Sequence, residues 1–155
     1  IIKELMRIIN LWCKLAIVLF QCLSCIAQTN NSNLDGIYGE WKITDYKPGN
    51  ISSLSLSEAK EKIGKKIQFS QSNLIILNDS CVISNIILKE KEVQEFFQSN
   101  YRISTKALGV EQDSILVFDV ICENEAYYDF IVLENGHMLY SIGGVFFFMK
   151  KVKLE

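Results

Sequence analysis

From Ile37 onward the chain alternates between apolar and polar positions. Trp41 and Ile43 share one side of an extended run, and Lys42 and Thr44 share the other. That period of two predicts a half-buried strand over Ile37–Tyr46, and Pro48-Gly49-Asn50 breaks it. Ser55 and Glu58 then sit at capping-box spacing, where each side chain can satisfy the other residue's orphan backbone donor. A helix of about two turns is expected to run on to Ile63, with Gly64 as its stop. Strands are expected at Lys66–Phe69 and Asn73–Leu77, on either side of Ser70-Gln71-Ser72. A second turn at Asn78-Asp79-Ser80 leads into Cys81–Ile83. Between Glu90 and Phe97, Val93, Phe96 and Phe97 recur at helical spacing, so a short amphipathic helix with core aromatics is expected there. Tyr101–Lys106 reads as a strand.

The last third carries the clearest pattern. Ser114–Cys122 is a strongly β-prone run, followed by Tyr127–Leu133, Met138–Ile142 and Val145–Val152. Asn135-Gly136 between two such runs predicts a hairpin, and Gly143-Gly144 permits a sharp turn into the final strand. The expected fold class is therefore mainly β, with eight or nine strands and one or two short helices. Consecutive hairpins suggest an up-and-down barrel, because closure removes the edge strands that would otherwise seed aggregation. Eight strands leave an interior that is filled by side chains or holds one small ligand.

The first 27 residues follow a different pattern. Lys3, Arg7 and Lys14 supply a positive start, Leu15–Ala27 is apolar, and Cys25-Ile26-Ala27 ends small-x-small. This is the layout of a secretory signal peptide, and the apolar run is too short for a spanning helix. Met6 could begin a compact leader that ends at Ala27. The expected organisation is a signal peptide at 1–27, a polar disordered segment at 28–36 (QTNNSNLDG) and one β domain at 37–153. The mature chain is expected to be exported to the periplasm or beyond, with no transmembrane span. An alternative is a lipoprotein anchored at Cys25, which follows the small residue Ser24.

Export simplifies the cysteines. Cys13, Cys22 and Cys25 leave with the leader, and Cys81 and Cys122 remain as an even pair in an oxidising compartment. A structural disulfide is expected between them; two buried free thiols are the alternative, and their spacing is unlike a Cys-x-x-Cys redox motif. The net charge of −2 and the lack of a basic stripe argue against nucleic acid as a partner. The single histidine, His137, falls in a predicted turn. No zinc spacing, phosphate loop or dinucleotide fingerprint is present, so neither a metal nor a cofactor is expected. Asp119 interrupts an apolar strand, where a buried carboxylate must find partners or shift its pKa. Tyr127, Tyr128, Asp129 and Tyr140 lie on adjacent predicted strands, and tyrosines offer apolar faces with polar tips.

Gly39-Glu40-Trp41 at the head of the first strand resembles the Gly-x-Trp motif of lipocalins. More closely, the chain resembles small secreted bacterial lipocalin-like proteins of unassigned function. The residues that carry this are Gly39-x-Trp41, Ser57-Glu58-Ala59 with Ile63-Gly64-Lys65, the two spaced cysteines, and Gly144-Val145-Phe146-Phe147. The likeness covers most of residues 37–152. It implies that Trp41 packs across one end of the barrel beneath a basic residue of the last strand, here Lys150 or Lys151, with Gly39 part of the same closure. It further implies a small apolar or amphipathic ligand, with Trp41, Asp119, Tyr128 and Tyr140 as candidate ligand residues. Two other readings stand beside it. One is an envelope interaction protein, an inhibitor or immunity-type factor with a filled barrel; the other is an enzyme with a carboxylate–tyrosine site. Without a catalytic motif, the chain is expected not to be an enzyme.

Overall fold

The computed structural model describes residues 34–153. The expected leader, the lipidation site at Cys25 and residues 28–33 of the polar segment lie outside the described residues. The chain from Tyr38 onward forms the larger of two compact units. Within Leu34–Ile37 the described backbone is a turn, with the Ile37 N–H donating to the Leu34 carbonyl at 3.0 Å.

The larger unit contains eight strands: β1 (Gly39–Pro48), β2 (Lys66–Phe69), β3 (Asn73–Ile76), β4 (Asp79–Glu92), β5 (Ser114–Cys122), β6 (Tyr127–Val132), β7 (His137–Ile142) and β8 (Val145–Lys151). Each pairs antiparallel with the next, and β8 returns to β1, so the sheet is a closed ring. Three short helices interrupt it: α1 (Leu56–Lys60), α2 (Val93–Tyr101) and α3 (Thr105–Leu108). The capping box at Ser55 and Glu58 forms as its spacing predicts.

Two bulges shape the ring, at Thr44 in β1 and Ser84 in β4. Each bulged residue turns its hydroxyl to a carbonyl of the neighbouring strand. Thr44 Oγ1 donates to Phe148 at 3.2 Å, and Ser84 Oγ donates to Ile121 at 2.9 Å. The backbone group displaced by the extra residue thus keeps a partner.

Side chains on the inner face meet across the ring. Phe69 of β2 packs edge-on against Phe118 of β5 and Phe130 of β6, with centroids 5.7 and 4.7 Å apart. Phe118 stacks on Phe130, and Phe130 on Tyr140. Ile43, Ile67, Leu74, Val120, Met138, Phe147 and Met149 are all fully buried. A second core lies outside the ring. Val93 and Phe97 of α2, Ile103, Leu108 and Val110 cover Ile115, Val117, Ile131, Leu139 and Phe146 on the outer faces of β5–β8. Both faces of β5 are therefore buried, which is why Ile115–Cys122 is apolar but for Asp119 rather than alternating.

The structure departs from the sequence reading in several places. The first helix ends at Lys60 rather than Ile63, and the described residues form three helices rather than one or two. Tyr101–Lys106 is not a strand: Tyr101 ends α2, Arg102 caps it with φ 53°, and Ser104 opens α3 by accepting from the Ala107 N–H. Local capping outweighs the β-prone residues there. Glu90–Glu92 belong to β4 rather than to the helix, and Glu92 becomes the N-cap. The turn after β3 is the two residues Leu77-Asn78, with Asp79 and Ser80 already paired. His137 is not at a turn tip; it begins β7, is half-buried and pairs with Lys150.

Candidate functional site

The strand pleat separates the candidate residues into two groups. Trp41, Tyr128 and Tyr140 face inward, whereas Asp119, Tyr127 and Asp129 face outward, because successive side chains alternate. The inward set is part of the packing. Trp41 is 4% exposed, and Lys151 lies over its indole at 5.8 Å from the centroid. Lys150, a candidate for that place, is one residue out of phase. Lys151 shares the inward side with Met149, while Lys150 pairs with Lys42 on the outer side. Tyr140 is buried and packs between Phe130 and Tyr128, with centroids 4.9 and 6.4 Å away. Burial first, and then the nearby Tyr128, push its hydroxyl pKa upward. Gly39, His137, Lys150 and Lys151 rim an open depression of about 920 Å³ at this end of the ring.

The outward set forms a cleft of about 470 Å³ between the outer faces of β4–β6 and the C-terminal half of α2. Asp119 and Asp129 are direct cross-strand partners at its floor. Asp119 is 3% exposed and forms an ion pair with Lys89 Nζ at 2.5 Å. Asp129 accepts from the Tyr101 hydroxyl at 2.5 Å. Tyr101 is fixed from behind by Phe146, at 4.9 Å in an edge contact. Burial, and then the Asp129 carboxylate, push the Tyr101 pKa far upward. Tyr127 is shifted the same way by desolvation and by its hydrogen bond to Asp119. Each phenol thus turns its hydroxyl to one of the two carboxylates at the floor of the cleft. Phe96 walls the cleft with an aromatic face, and Glu92 and Glu95 stand on its rim. Four carboxylates thus surround two ammonium groups, Lys89 and Lys91, so the cleft is net negative.

Nothing in the sequence pattern marks Lys89, Tyr101 and Phe96 as site residues. Lys89 falls between the expected elements, Tyr101 in an expected strand, and Phe96 on the apolar side of an expected helix. The only available signal was the solitary Asp119, which required a partner. Among the described residues no group of three or more His, Cys, Asp or Glu is placed to hold a metal ion. No helix among them is long and apolar enough to cross a membrane.

The expected disulfide is present. Cys81 and Cys122 are bonded with Cα atoms 5.7 Å apart, tying the start of β4 to the end of β5. No family model, curated protein or solved structure matches the chain.

Proposed function

We propose that this chain is an exported, lipocalin-like binding protein whose recognition site is the outer cleft rather than the barrel interior. The observation that carries the reading is the occupancy of the two faces. Phe69, Phe118, Phe130 and Phe147 are buried against one another or their neighbours inside the ring, whereas the outer cleft is open at about 470 Å³. That volume lies in the range of small-molecule sites. Lys151 over Trp41 supports the lipocalin likeness, and the disulfide suits an oxidising compartment.

The cleft favours a small amphipathic cation. Its net negative lining attracts an amine or guanidinium, and Phe96 and Tyr127 offer aromatic faces to an apolar body or to the cation itself. Calorimetric titration with phenethylamine and agmatine, against phenylpropionate as the anionic control, tests the reading. Binding of the amines alone, weakened about tenfold or more by Asp129→Asn, is expected. Binding of the anion instead, or amine binding indifferent to Asp129→Asn, overturns it.

A further inference from the structure

β4 is 14 residues long, yet β3 pairs only with Asp79–Val82 of it. The remainder, Ile83–Glu92, pairs with β5 on one side. On the other side Ile83 donates to the Ser72 carbonyl, and from Asn85 to Glu92 no described residue pairs with the backbone. The direction of the groups follows from one bond. The Val93 N–H donates to Asp113 at 3.0 Å, toward the β5 side. Alternate residues of a strand point the same way, so Lys91, Lys89 and Ile87 also face β5. Ile86, Leu88, Glu90 and Glu92 then present their N–H and C=O groups to the unpaired side.

We propose that this edge docks an extended segment of a partner protein, added antiparallel to Asn85–Glu92, with acidic and basic residues alternating along it. Main-chain pairing supplies the affinity and the alternation supplies the choice of partner. The outward row of β4 is Ile87, Lys89, Lys91 and the inward row is Ile86, Leu88, Glu90; at the end of the strand the Glu92 carboxylate turns away to cap α2. A complementary strand places an acidic residue beside Lys91 and another beside Lys89, which Asp119 already pairs on one side, a basic residue beside Glu90, and apolar residues beside Ile86 and Leu88. Ile87 is 37% exposed, and Ile86 and Leu88 are half-buried, so an added strand has apolar surface to cover.

A second copy of this chain fits less well in the same geometry. In a two-fold antiparallel pairing, outward residues meet outward residues. Lysine could then meet only lysine, Asn85 or Ile87, and glutamate only glutamate or apolar residues, so no attractive charge pair forms. Charges on an edge guard against unselective pairing, and here the same charges select a partner.

The test uses the full chain and two seven-residue peptides of identical composition. The first, Lys-Glu-Lys-Glu-Val-Thr-Val, complements the sequence from Glu92 back to Ile86; the second, Glu-Lys-Glu-Lys-Val-Thr-Val, exchanges the charges. Fluorescence anisotropy of labelled peptides should show the first binding about tenfold or more tightly, since several cross-strand charge pairs change sign together. Lys91→Glu should narrow or reverse that preference. Glu90→Pro removes an N–H on the unpaired edge without touching a β5 bond, so it should abolish binding while the melting temperature holds. Equal binding of the two peptides, absence of binding, or a preference unmoved by Lys91→Glu overturns the proposal. So does a dimer in sedimentation that Glu90→Pro dissociates.

Discussion

Lys151 sits directly across the β1–β8 pair from Trp41, with its ammonium 5.8 Å from the centre of the indole. The contact joins the first strand of the ring to the last. The indole is buried and the lysine is at the surface, so the two contribute very differently to stability.

Trp41→Ala should therefore destabilise the domain by about 3–5 kcal/mol, the usual cost of removing a buried large aromatic. That is a large share of a domain's 5–15 kcal/mol or so. Lys151→Ala should cost about 0.5–1 kcal/mol, as expected for an exposed cation–π contact. Lys42→Ala, on the outer face of the same strand, should change little. Chemical denaturation of the three variants checks the order.

Breaking the Cys81–Cys122 bond should lower stability by up to about 4 kcal/mol in the chain-entropy account, given the separation of 41 residues. A Cys81→Ser, Cys122→Ser double variant avoids leaving one thiol free to mispair. Its unfolding midpoint should match that of the reduced native protein.

Gly144 has φ +79°, and a Cβ there would lie 2.0 Å from the Ile51 carbonyl oxygen. The segment 49–54 is strapped over this turn by the Gly49 N–H to Gly144 and the Ser53 N–H to Gly143, at 2.7 and 2.8 Å. Gly144→Ala should cost well over 2 kcal/mol, because left-handed strain of about 1–2 kcal/mol is joined by a backbone clash. Gly136→Ala is the comparison. It has φ +75° with nothing within 4 Å of the added methyl, so it should cost only the strain. Thermal melts separate the two.

His137 gives the fold a measurable pH dependence. Burial first, and then the Lys150 ammonium, hold its imidazole below the ordinary 6.5. The unfolded chain therefore takes up the proton at a higher pH than the folded one. Stability is complete above about 6.5 and declines as pH falls through that value toward the folded-state pKa. His137→Gln should flatten this slope just below neutrality. The loss at lower pH, where Glu40 and Glu58 with their lowered pKa values protonate, should remain. Urea denaturation across that range measures both.

Much of the ring was legible from local chemistry. Alternation alone put Trp41 and Ile43 on the inner face, because side-chain direction in a strand is a property of sequence parity. Asn135-Gly136 set a hairpin because it accepts positive φ, and Gly136 adopts 75°. The capping box at Ser55 and Glu58 is likewise a contact between near neighbours in the chain. The site was not legible in this way. Asp119 reads as a break in an apolar strand, but whether it faces a cavity or the outside depends on what covers β5. That cover is α2, whose Tyr101 meets Asp129 across 28 residues of sequence, while Lys89 reaches Asp119 across 30. Lys151 rather than Lys150 meets Trp41 because the register of β8 against β1 sets which lysine points inward. Parity, turns and caps are local and are written in the chain. Register and the faces that meet across the fold emerge only when distant segments bury their apolar surfaces together.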